Sequence, residues 1–105
     1  MRKTLIVALA ACGWLISGAA LASQALATQA GCTACHTPTK KLLGPSYSEI
    51  AAKYKGRADA VAVLTESVRK GSKGKWGALP MTPTGTDRIN DADLKALISW
   101  VLKTP

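Results

Sequence analysis

Five residues, Cys32-Thr33-Ala34-Cys35-His36, decide how the rest of the chain is read. Two thiols two residues apart, with an imidazole directly after the second, form the C-x-x-C-H run through which haem of the c type is attached. The spacing has a chemical reason. The thiols add to the two vinyl groups of the porphyrin, and a two-residue gap matches the separation of those vinyls. His36 is then held beneath the iron and offers a ring nitrogen as the proximal ligand. Other readings of the two cysteines fit less well. A thioredoxin-type dithiol follows a strand in a βαβ setting, whereas Ala25-Leu26-Ala27-Thr28-Gln29-Ala30 reads as helix. A structural zinc site needs four ligands, and beyond residue 22 the chain offers two Cys and one His. A plain disulfide is the remaining alternative.

An iron held by His36 needs a sixth ligand or an open position, and Lys, Met and His are the usual protein donors. The chain has no second His, and Met81 is its only Met apart from Met1. A single Met can be core filler. Here Pro80 and Pro83 flank it in Trp76-Gly77-Ala78-Leu79-Pro80-Met81-Thr82-Pro83, and prolines stiffen a loop that presents a thioether at fixed geometry. Methionine opposite histidine is the ligation of cytochromes c and raises the reduction potential.

The N-terminus reads as a secretory leader over residues 1–22. Arg2 and Lys3 precede an apolar run over 5–16, and small residues end in Ala20-Leu21-Ala22, the three parts of a signal peptide. The run is interrupted by Gly13, Ser17 and Gly18 and is short for a bilayer span. Leu9-Ala10-Ala11-Cys12 also looks like a lipoprotein box, but more apolar sequence follows it, which favours cleavage after Ala22. Cutting 22 residues from 105 leaves 83, and loss of Arg2 and Lys3 takes the net charge from +8 to +6. Export places the chain in the periplasm, without a membrane span, and excludes nucleic acid as a partner. A domain of that size has room for one small core and needs a staple. With only Tyr47, Tyr54, Trp76 and Trp100 as aromatics after the leader, a flat apolar disc between helices would supply the missing filling.

The remainder, a single domain over 23–105, reads as all-α. A first helix covers about 24–30 and stops at Gly31. Tyr47, Ile50, Ala51 and Tyr54 share one helical face, and Gly56 ends that pattern. Val61, Leu64 and Val68 repeat the spacing, with Gly71 as the stop after Arg69 and Lys70. Asn90 is a good N-cap for a last helix with Asp91 and Asp93 in its first turn and a stripe of Leu94, Leu97, Ile98 and Val101. Trp100 in that helix reads as packing. Two loops rich in Gly, Pro, Lys and Thr, 38–45 and 71–86, lie between the helices.

Cys32-x-x-Cys35-His36, Gly44-Pro45, Gly71-Ser72-x-Gly74-x-Trp76-Gly77, Pro80-Met81 and the closing helix through Trp100 together resemble the small bacterial class I cytochromes c. The resemblance spans the chain beyond the leader. It implies a fold of four or five short helices around one covalent haem c, and a periplasmic carrier of single electrons between respiratory redox proteins rather than an enzyme. It implies that the Pro45 carbonyl bonds the other ring nitrogen of His36, fixing its tautomer, and that Trp76 lies beside the haem and donates to a propionate. Three features depart from the family pattern. Thr82 stands where many relatives have a second proline, Thr84 stands where many have an Asn near the ligand sulfur, and Ala27 replaces an aromatic in the first helix. In addition, 84–90 is slightly long.

Two further functions fit the residues. The chain could be the haem subunit of a periplasmic dehydrogenase such as a sulfite-oxidising complex. It could also be a ligand-binding haem protein in which Lys73 or Lys75 replaces Met81 at high pH. Catalysis lacks support, because no free His or second titratable cluster is present for acid–base work. Lys40, Lys41, Lys73 and Lys75 in the two loops form a positive rim that would steer an acidic partner, as a monomer or as a small subunit.

Overall fold

A computed structural model describes residues 18–105, with side chains from Ser23 onward. The leader assignment and Cys12 therefore lie largely outside the described residues. Four α-helices follow one another: α1 (Gly18–Gln29), α2 (Tyr47–Tyr54), α3 (Ala60–Lys70) and α4 (Asp91–Leu102), with a short 3-10 turn, Cys32–Ala34, after α1. Among the described residues there is no strand, only two isolated antiparallel bridges, His36 with Lys41 and Ser72 with Met81. The all-α reading holds.

Local chemistry sets the helix ends. Ser46 caps α2 in a reciprocal box: its Oγ accepts from Glu49 N at 3.1 Å, and Glu49 Oε2 accepts from Ser46 N at 2.8 Å. Two otherwise orphaned backbone donors are satisfied at once. Asn90 caps α4, its Oδ1 accepting from Asp93 N at 2.8 Å, and Asp91 and Asp93 sit in the first turn, where the helix dipole favours negative charge. The first helix starts earlier than its pattern suggests. α1 begins at Gly18, because its small apolar residues carry no stop before Gly31, which has φ of 85°.

Packing is organised by α4, which touches α1, α2 and α3. Leu94, Leu97, Ile98 and Val101 are buried, as the stripe requires, together with Ala27 of α1, Ala30 just after it, and Tyr47, Ile50 and Tyr54 of α2. Trp100 packs edge-on to Tyr47 at 5.5 Å between ring centroids. Ala27 is fully buried on α1, which packs against α4. The third stripe behaves differently. Val61, Leu64 and Val68 are only partly buried, and on α3 only Ala60 and Ser67 are closed off. Leu64 and Val68 face a cleft.

Candidate functional site

The cleft lies between α2, α3 and α4 and the two long loops, and encloses about 1240 Å³ of space, part of it open to solvent. Its lining is mostly apolar: Ile50, Leu64, Val68, Leu94, Leu97, Ile98 and Val101 come from the helices. Cys32, Cys35 and His36 enter from one side and Trp76, Leu79, Pro80 and Met81 from the other, with Pro45 between. Every site residue expected from the sequence therefore lines this one cavity.

The turn Cys32–Ala34 begins the histidine side. His36 N and Cys35 N both donate to Cys32 O, at 2.9 and 3.1 Å, so the two thiols and the imidazole leave one tight coil. Both cysteines are free and half-buried. Burial, with a smaller push from Cys35, raises the Cys32 thiol above its ordinary value, against a backbone hydrogen bond that lowers it. His36 Nδ1 lies 2.6 Å from Pro45 O. With Nδ1 donating there, the neutral ring keeps its lone pair on Nε2.

Two neighbours hold that ring: Gly44, which the sequence marks only within the Gly44-Pro45 pair, and Tyr47, which it marks only as part of a helical face. A Cβ on Gly44 would stand 2.6 Å from His36 Cε1, so only glycine lets the loop approach so closely. Tyr47 stacks on the imidazole at 6.0 Å with 26° between the planes. The Tyr47 hydroxyl is buried without a hydrogen-bond partner, and the phenol is pushed up to about 12, first by burial and then by the charge of Cys32.

The opposite wall is a loop pinned by its backbone. Ser72 N donates to Met81 O at 3.1 Å and Met81 N to Ser72 O at 2.8 Å. A Cβ on Gly71, whose φ is +80°, would meet Met81 O at 2.6 Å. Further along, Thr84 N donates to Val68 O at 2.7 Å. Arg69 Nη1 donates to Thr84 O at 3.3 Å while its Nη2 pairs with Asp91 at 2.7 Å. Thr84 thus serves through its backbone, as the anchor that ties the loop to α3. Lys53 of α2 holds the loop's other end: its Nζ stands 4.2 Å over the Trp76 ring and 3.2 Å from Lys75 O.

The chain is similar over residues 20–105 to the family model described as cytochrome c. It is 66% identical over 80 residues to a cytochrome c2 of Rubrivivax gelatinosus, covering 76% of this chain and 94% of that protein. The chain belongs to the cytochrome c family. A cytochrome c-552 of Hydrogenobacter thermophilus is 41% identical over 102 residues, covering 97% of both chains. The crystal structure of Nitrosomonas europaea cytochrome c552 superposes with a TM-score of 0.69 at 40% identity, covering 78% of this chain and 99% of that one. The likeness is therefore to whole small cytochromes rather than to a module of something larger.

Membership in the cytochrome c family carries one covalently attached haem c and electron transfer with it. The cleft fits that group on its own evidence. It is an apolar slot with two free thiols and an imidazole nitrogen on one wall, a thioether on the facing loop, and an unpartnered buried hydroxyl.

Proposed function

We propose that this chain is exported, loses residues 1–22, and works in the periplasm as a carrier of single electrons between redox proteins, without transforming a substrate. In this reading Cys32 and Cys35 would hold the haem as thioethers, His36 and Met81 would ligate its iron, and Pro45 and Trp76 would support it. Bound haem supplies the one-electron Fe(III)/Fe(II) couple. The observation that carries the reading is the convergence of Cys32, Cys35, His36 and Met81 on one apolar cleft.

The residues explain why the arrangement suits transfer rather than binding. The Pro45 carbonyl and the Gly44 backbone fix the imidazole, and the two-bond bridge to Ser72 fixes the backbone that carries the thioether. The imidazole and the backbone that carries the thioether are thus placed by the fold, which would keep reorganisation small and exclude exogenous ligands when both donors hold the iron. Two uncharged donors in a dry pocket disfavour the extra charge of the ferric state, so the potential is positive. Lys40, Lys41 and Lys73 are exposed in the same two loops as the exposed Leu42, Leu43 and Leu79, apolar and basic side chains suited to an acidic partner surface.

The test is the ferric protein at neutral pH. The expected result is pigment retained on denaturing electrophoresis and the weak near-infrared band of methionine ligation, lost in Met81→Ala together with a fall in midpoint potential. A wild-type protein that lacks the band would overturn the assignment of Met81.

A further inference from the structure

Among the residues that line the cleft, Lys75 is the one Lys, Arg, Asp or Glu. Its position is built. Nζ lies 3.2 Å from the Oγ of Ser67, a residue of α3 that is only 8% exposed. The Lys75 carbonyl is held from α2 by Lys53, which also covers Trp76.

No carboxylate answers this charge. The ion pairs among the described residues are Arg57 with Asp59, Arg69 with Asp91 and Lys70 with Glu66. The acids of the adjoining helices are engaged elsewhere, Glu49 in the cap of α2 and Glu66 on Lys70. Lys75 is exposed at the cleft, so water and the Ser67 hydroxyl solvate its ammonium, and it has no charged partner among the described residues. A carboxylate carried by what the cleft receives would be that partner.

We propose that Lys75, anchored by Ser67, pairs with a carboxylate of the bound porphyrin and thereby raises the reduction potential, in place of serving as one of the docking lysines. The inference rests on the haem reading above, because the propionate side chains of the porphyrin are the carboxylates in question. A cation beside that carboxylate offsets the negative charge that would otherwise favour the ferric state, and its effect depends on its nearness to the iron. Lys73, two residues away and absent from the cleft lining, is the internal control.

The experiment compares Lys75→Gln, Lys75→Arg, Ser67→Ala and Lys73→Gln in the mature, haem-loaded protein by spectroelectrochemical titration. In Lys75→Gln the equilibrium constant for reduction falls about threefold to tenfold, tenfold being about 59 mV for a one-electron couple. Lys75→Arg stays within about twofold of wild type and Lys73→Gln changes less than about twofold, on the same scale. The ionic-strength dependence of the transfer rate separates the roles further: Lys73→Gln flattens it and Lys75→Gln leaves it as in wild type. Equal potential shifts in Lys75→Gln and Lys73→Gln would overturn the proposal, since Lys75 would then act only as general surface charge. If Lys75→Gln fails to retain pigment, Ser67→Ala decides. A fall in the same direction supports the pairing, and an unchanged potential overturns it. A wild-type chain without pigment sinks the haem reading itself, a failure seen before any variant is measured.

Discussion

The two flanks of α4 are made from similar apolar residues and end in different states. Where α4 meets α1 the space is filled by protein: Ala27 is fully buried and Ala30, just after α1, is 4% exposed. Where α4 faces α3 the stripe of Leu64 and Val68 stays half-open, and Leu43 and Leu79 at the cleft mouth are 60% and 64% exposed. Helical spacing marks both stripes as core with equal clarity. Periodicity reports which face is apolar and is silent on what covers it. In this small chain one cover is another helix and the other is a cofactor, which supplies the staple that a domain of this size requires.

The largest effect should come from removing that cover. Cys32→Ser combined with Cys35→Ser abolishes haem staining and, because the α3 flank then has nothing to close on, is expected to remove the cooperative thermal transition followed by far-UV circular dichroism. A doubly substituted chain that melts as sharply and as high as wild type would show that protein contacts alone hold both flanks.

On the closed flank the effect is smaller and independent of the cofactor's chemistry. Ile89→Ala, at a buried residue just before α4 that lies beside α1 and does not line the cleft, leaves a cavity and should cost about 3 kcal/mol, lowering Tm by more than about 10 °C for a domain of this size. Leu79→Ala at the cleft mouth should cost less than about 1 kcal/mol, as expected for a largely exposed position. Denaturant titration of the haem-bearing proteins ranks the two, and equal losses would erase the contrast between the flanks.

Much of the architecture was legible because it is written in local signals. Tyr47, Ile50, Ala51 and Tyr54 mark the whole of α2, and all four are buried. Asn90 starts α4 as its side chain predicts, and Gly71 ends α3. Ser46-x-x-Glu49 carries a capping-box signature that the sequence reading passed over. The cleft residues were legible for another reason: Cys, His and Met are scarce, and their spacing is set by the geometry of one small molecule. What was not legible depends on contacts between segments far apart in the chain. Arg69 reaching Thr84 and Asp91, Lys53 over Trp76, and Lys75 on Ser67 have no local pattern. Lys75 reads as a loop lysine like Lys73 until α3 places Ser67 beside it. Gly44 looks like an ordinary turn glycine until the His36 ring is packed against its Cα.

The finest probe of the cleft flank is the Tyr47 phenol. Its folded value near 12 stands above the ordinary value of 10, chiefly because it is buried. The folded state therefore favours the neutral phenol, and the unfolded chain gives up the proton first as the solution becomes alkaline. The resulting stabilisation is complete below about pH 10 and is lost as pH rises through 12. Thioether formation would remove the charge of Cys32 and leave burial as the cause, so the loss should amount to only about 1 kcal/mol. In Tyr47→Phe nothing titrates at this position. Removal of a hydroxyl that has no partner among the described residues should change neutral-pH stability by no more than about 1 kcal/mol, the worth of a single hydrogen bond to the bound group. Chemical denaturation at intervals from pH 9 to 12 should then show wild type falling relative to Tyr47→Phe across the upper part of that range. Parallel curves would mean that water reaches the phenol, and hence that the wall behind His36 is far wetter than the closed flank beside α1.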